Sequence, residues 1–299
     1  MRNAACIIAA LVATVEAGIQ QPKFSSETAL VRLIVSVNDD NGTVRGLKNS
    51  EFVVTDNGQK QLVTVDEGKD APLDIMVVAQ PKQSISATSP EQAARMFNGL
   101  ASLFTRFQDT DRIGVILAGA PPARLRALQP GRVSFDEQSF LNGDYGAPFD
   151  AIAGALSEFE VSDRRQALIA FTAGVDFRSS LTPDVLAQTV KRGGPALIFV
   201  AAPIKVETQF GPLGGPARGV VSGWNFPVAI RALAATTGGL TVDLGRGDPQ
   251  KLISDLLDRL RTQYVVAYAA PQGKGWHAVS VKVTKRGAIA TSRAGYWVD

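Results

Sequence analysis

Leu73-Asp-Ile-Met-Val-Val-Ala79 is a seven-residue, largely apolar run closed by Gln80-Pro81. A run of that length suits a strand buried on both faces, as parallel sheets require. Ser89-Pro90-Glu91 then opens a helix, with a hydroxyl cap, proline in the first turn and an early acid. Met96, Leu100, Leu103, Phe104 and Phe107 fall on one face of it. Arg112 to Leu117 reads as the next strand, with Ala123 to Leu128 as its partner. A helix over Pro148 to Phe159 leads to a strand over Ala167 to Thr172, and Thr182-Pro183-Asp184 starts a helix that stops at Gly193-Gly194. Ala196 to Ala201 is again a strand; Phe226 to Ala235, Leu240 to Asp243 and Pro249 to Arg261 read as helix, short strand and helix. Such alternation predicts an α/β fold over residues 70–262, a doubly wound, mostly parallel sheet covered on both faces.

The flanks have a different character. Leu30 to Val37, Phe52 to Thr55 and Gln61 to Val65 read as strands, separated by the turn signals Asn38-Asp-Asp-Asn-Gly42 and Asp56-Asn-Gly58. Tyr264 to Tyr268, Ala278 to Val283 and Ile289 to Arg293 read as strands at the other end. Neither set makes a stable sheet alone, so residues 24–68 and 263–299 are expected to join in one small β module around an inserted core. At the start, Arg2, an apolar run from Ala4 to Val15 and Glu16-Ala17-Gly18 describe a secretory signal peptide over residues 1–17. The apolar run is shorter than the roughly 20 residues that span a bilayer. A secreted or periplasmic protein without membrane insertion after cleavage is expected.

Composition excludes several chemistries. The chain of 299 residues has one cysteine, Cys6, and one histidine, His277, so a Cys/His zinc site and an intramolecular disulfide are both excluded. Lys and Arg total 31 against 28 Asp and Glu, without the cluster that a nucleic-acid backbone would need. A serine hydrolase would depend on His277, which follows Gly275-Trp276 at a strand start and is expected at a surface or edge. Arg246-Gly-Asp248 spells an adhesion tripeptide, but Asp248-Pro249 reads as a helix cap and first turn.

Four stretches resemble bacterial secreted proteins with a von Willebrand factor A-related domain. They are Val35-Ser-Val-Asn-Asp-Asp-Asn-Gly-Thr-Val-Arg-Gly-Leu-Lys-Asn-Ser-Glu-Phe52, Leu233-Ala-Ala-Thr-Thr-Gly-Gly239, Leu260-Arg-Thr-Gln-Tyr-Val-Val-Ala-Tyr268 and Arg293-Ala-Gly-Tyr296. The resemblance implies a von Willebrand A, Rossmann-like fold, whose members usually bind macromolecules and often hold a divalent metal at the carboxyl end of the sheet. That metal site uses Asp-x-Ser-x-Ser, a Thr and a further Asp. At the matching positions this chain has Gln80, Lys82 and Ser84, then Gly146 for the Thr, then Ala173 for the Asp. A hard cation needs carboxylate and hydroxyl oxygens, so no metal and no cofactor are expected. Asp144, Asp150 and Asp176 lie in the same loops, where a displaced metal site or a hydrolytic acid pair would have to be built; solvated acids, with Asp150 capping its own helix, are the simpler expectation.

The expected function is a non-enzymatic adhesion or scaffold module that binds another protein. Lys82, Ser84, Asp144, Tyr145, Asp176, Arg178 and Trp224 are the candidate contacts. Lys82 could supply the charge the metal would have given, or pair internally with Asp176 or Asp144. A periplasmic binder of a small molecule or peptide is the alternative.

Overall fold

The computed structural model describes residues 30–68, 71–82, 89–141, 146–160, 162–172, 176, 178–201 and 226–298. The signal-peptide reading at 1–17 lies outside them, as do Ser84, Asp144, Tyr145, Ala173 and Trp224.

The strands are β1 Leu30–Asp39, β2 Gly42–Thr43, β3 Phe52–Asp56, β4 Gln59–Gln61, β5 Thr64–Glu67, β6 Leu73–Ala79, β7 Arg112–Leu117 and β8 Ala123–Pro130, followed by β9 Arg165–Thr172, β10 Ala196–Ala201, β11 Thr241–Asp243, β12 Tyr264–Ala269, β13 Gly275–Val283, β14 Ile289–Thr291 and β15 Gly295–Val298. The helices are α1 Pro90–Thr105, α2 Pro148–Leu156, α3 Pro183–Lys191, α4 Phe226–Thr237 and α5 Pro249–Arg261. Three starts use the side-chain caps the sequence offers: Ser89 accepts from the Gln92 amide, Thr182 from Val185 and Asp248 from Gln250.

The core is a six-stranded sheet in the order β11-β10-β9-β6-β7-β8, parallel except for the β7–β8 pair. The chain starts at β6 in the middle, adds β7 on one side and returns to add β9 on the other. This reversal makes the β6–β9 gap the topological switch point. Every residue of β6 is buried, because helices cover both faces. On one face Ile75, Val77, Ile113 and Ile169 meet Met96 and Leu100 of α1 and Ile253 and Leu256 of α5. On the other, Met76, Val78, Leu168 and Phe199 meet Phe149 and Ile152 of α2, Leu186 of α3 and Leu233 of α4. Each such side chain contributes about 1.5–3 kcal/mol by leaving water.

The two ends of the chain join, but in two sheets rather than one. One sheet has the order β14-β1-β12-β5, with β2 beside β1; the other has the order β15-β13-β3-β4. The reason lies in the alternation. β3 and β12 bury every second residue, so each presents one apolar face that must be covered. Leu33, Val35, Val54, Tyr264, Val266, Tyr268 and Val281 fill the layer between the sheets.

His277 is not at the surface. It is 3% exposed and stacks on Tyr296, with ring centroids 5.1 Å apart. Its Nδ1 lies 2.9 Å from Asp56 Oδ1, while the Tyr268 and Tyr296 hydroxyls donate to Asp56 Oδ2 at 2.8 and 2.7 Å. One buried carboxylate thus ties β3, β12, β13 and β15 together. Burial, followed by the Asp56 hydrogen bond, pushes both tyrosine hydroxyls well above their usual range.

Candidate functional site

Gln80 leaves β6 at the switch point, and Thr172 ends β9 beside it. Gln80 is 1% exposed, and its Oε1 accepts from Thr172 Oγ1 at 2.8 Å. The Gln80 amide also donates to the Phe171 carbonyl at 3.1 Å. The mouth of the crevice is therefore bridged by both backbone and side chain.

Gly146 packs against the Gln80 side-chain amide. A methyl group at this position would stand 2.8 Å from the Ala118 carbonyl oxygen and 2.9 Å from Gln80 Nε2. Gln80 fills the space that a threonine side chain would take. Gly146→Thr is accordingly expected to cost about 1–3 kcal/mol through overpacking, and a Gln80→Ala change in the same chain should return part of that loss. Urea midpoints of the two single variants and the double variant measure the coupling. A neutral Gly146→Thr change would refute this packing account.

Lys82 pairs with Glu137, the first residue of a short 3-10 turn, and not with Asp176. Its ammonium also lies 5.6 Å from the Phe97 ring centroid.

Asp176 and Asp150 are structural in their contacts. α2 starts at Pro148 behind Ala147, which has no side chain to cap it, so its first amides need an outside acceptor. Ser179 supplies it: its Oγ accepts from Phe149 N at 3.0 Å and Asp150 N at 3.4 Å. Asp150 reciprocates, its two carboxylate oxygens accepting from the Ser180 and Leu181 amides at 2.8 Å each. It does not cap its own helix; it fastens the loop after β9 to the start of α2. Asp176 Oδ1 takes the Arg178 and Ser179 amides at 3.1 and 2.9 Å. Burial raises the Asp176 pKa, outweighing the amides and the Ser179 hydroxyl that favour its charge, and the Asp150 carboxylate adds to the rise. Arg178 itself is exposed at this edge.

Among the described residues no group of three or more His, Cys, Asp and Glu comes together as a metal cage would require. The hydrogen bonds Gln80 and Asp150 make were not legible in the sequence, because both depend on residues that reach them from other loops.

No protein-family model and no curated protein matches the chain. Similar solved structures include von Willebrand factor type A from Catenulispora acidiphila, 11% identical with a TM-score of 0.44, covering 92% of this chain and 76% of that one. The ArnB paralog VWA2 from Sulfolobus acidocaldarius is 10% identical with a TM-score of 0.41, over 90% and 76% of the two chains. BatB from Bacteroides thetaiotaomicron is 13% identical with a TM-score of 0.44, over 64% and 100%. The assignment of the fold rests on this chain's own strand order: it is a doubly wound α/β domain with a β module built from its two ends.

Proposed function

We propose that this protein is an exported, non-enzymatic module of von Willebrand A type that binds another protein through its carboxyl-edge loops without a metal ion. The observation that carries this reading is the Gln80 side chain, which is buried between Thr172 and Gly146 at the switch point. A divalent cation there would need oxygens free to turn towards it at about 2.0–2.6 Å. The Gln80 oxygen is engaged by Thr172, and both Asp150 oxygens and Asp176 Oδ1 accept backbone amides. The described residues of the site therefore do not fit the ion that the family resemblance implies. The same internal bonding argues against an acid pair for hydrolysis, since Asp150 holds loop backbone with both oxygens. Among the described residues of this edge, Gln80, Thr172, Asp150 and Asp176 already have internal hydrogen-bond partners, which suits recognition by shape and ordinary polar contacts.

Export rests on the amino-terminal sequence, and no helix among the described residues is long and apolar enough to cross a membrane. Lys82, already paired with Glu137, is assigned to loop structure and not to an acidic partner group. Ser84, Asp144, Tyr145, Arg178 and Trp224 stay as candidate contacts.

Thermal melting with magnesium, manganese or calcium tests the metal reading directly. At about 5 mM ion the melting temperature should move by less than about 1 °C, whereas a site with a dissociation constant near 50 µM would add roughly 2.7 kcal/mol and several degrees. A shift of that size would overturn the proposal. Capture of a cell-envelope protein that is lost on Arg178→Glu but kept in chelator would support it.

A further inference from the structure

At the opposite end of the sheet, where β9 and β10 begin, the core meets the terminal module around a cavity of about 190 Å³. Four arginines line it: Arg32 from β1, Arg164 and Arg165 at the head of β9, and Arg293 between β14 and β15. Asp163 is the only acid among the lining residues, and it is held by Arg32 at the rim with its side chain 88% exposed. Arg164 is committed elsewhere, to Asp74 and to the Leu73 and Thr110 carbonyls.

Arg165 and Arg293 are different. Arg165 is 6% exposed; its Nη2 donates to the Gln263 carbonyl at 3.0 Å, and its Nε is buried with no hydrogen-bond partner. Arg293 gives Nε to the Gly295 carbonyl at 2.6 Å and Nη2 to the Val190 and Lys191 carbonyls at 3.3 and 3.5 Å. All these acceptors are neutral. Among the described residues neither guanidinium has a carboxylate within ion-pair distance. Burial lowers the pKa of both; at Arg165 the nearby Arg32 charge adds to this and Asp66 opposes it. Guanidinium nevertheless stays charged in proteins. One buried cation with an orphaned donor and one half-buried cation line the same cavity, an arrangement that an anion would complete.

We propose that this cavity binds a small oxyanion, inorganic phosphate or the phosphate group of a small monoester, with Arg165 and Arg293 at its base and Arg32 at its mouth. The planar donor forks of arginine match phosphate oxygens. At about 30 Å³ per water the cavity holds roughly six waters, enough for a phosphate and a few further atoms but no macromolecule. Because its walls come from both the core and the module, an anion seated there fastens the two together. The site lies at the far end of the sheet from the carboxyl-edge loops, so its occupancy and protein recognition there are separate properties.

Calorimetric titration of the full chain with inorganic phosphate, at constant ionic strength in chloride, tests this. The expected dissociation constant is below about 1 mM, weakening roughly tenfold or more in Arg165→Met, where a charged, bidentate donor is lost. Arg32 is half-exposed, so Arg32→Ala should fold normally and weaken binding by roughly threefold to tenfold, as a rim charge does. A parallel titration with glycerol 3-phosphate separates the sources: tighter binding than phosphate assigns the site to a monoester, weaker binding to the free ion. Absence of binding by wild-type protein at about 20 mM phosphate, more than tenfold above the expected constant, would overturn the proposal. So would an affinity that Arg32→Ala leaves unchanged, a result that stands even if Arg165→Met does not fold.

Discussion

Replacing Gly239 by Ala should remove most of the protein's stability. The added methyl carbon would stand 1.8 Å from the Leu197 carbonyl oxygen, 2.6 Å from its carbon and 3.0 Å from the Leu197 nitrogen. All three are backbone atoms of β10, which is held on one side by β9 and on the other by β11, so no side-chain rotation relieves the contact. Gly239 also cannot retreat. Its amide donates to the Ala234 carbonyl at 2.8 Å and the Gly238 amide to Ala235, the paired bonds that end a helix when the residue after it is left-handed, and Gly238 has φ of +75°. The expected loss exceeds about 4 kcal/mol, against a total of about 5–15 for a typical domain. Soluble yield and the urea midpoint report it; a variant within about 1 kcal/mol of wild type would contradict this account of the close approach.

The second large effect is expected at Asp111. Its carboxylate takes Arg261 in a two-pronged contact at 3.0 and 2.7 Å, and it also accepts the Leu73 amide at 3.0 Å and the Gln108 amide at 2.8 Å. The Asp111 side chain is 0% exposed and that of Arg261 7%. Asp111→Ala strands a buried guanidinium and two amides, for an expected loss of about 3–5 kcal/mol. The pH dependence has a definite sign. Burial pushes the Asp111 pKa upward, but the Arg261 contact and the two amides outweigh it and leave the value below the usual 3.8. The ionised form is thus favoured in the folded state. Its contribution is complete above the unfolded value of about 3.9 and is lost as pH falls through the lower, folded value. Urea titrations of wild type and Asp111→Asn should therefore diverge most near neutral pH and converge in acid. An equal gap at about pH 7 and pH 2 would show that charge is not the source.

The α/β core was legible because its signals are local. The apolar runs at Leu73–Ala79 and Ala167–Thr172 could only be buried strands, and the Ser89-Pro90 and Asp248-Pro249 pairs marked helix starts. Other features depend on residues far apart in the chain. That the end strands form two facing sheets follows from which faces meet, which alternation within one strand does not state. His277 gave no sign of burial, since its partners Asp56 and Tyr268 come from other strands and Tyr296 pairs with it only through the β13–β15 register. The identities of Gln80, Lys82 and Gly146 could be read directly, but not the partners that hold them. Glu137 reaches Lys82 from 55 residues away, and Ser179 reaches α2 across 30. The arginine-lined cavity is built from positions 32, 165 and 293, which no spacing rule connects.

The pairing of β1 with β12 also sets a timetable. Leu30 faces Ala269, so the first strand leaves the ribosome about 240 residues before its neighbour exists. At about 5–20 residues per second that interval lasts roughly 12–50 s. Throughout it the nascent chain carries an open strand edge, a template for unwanted association. A polypeptide released short of β12 keeps that edge permanently and becomes a target for holdase chaperones and proteolytic clearance.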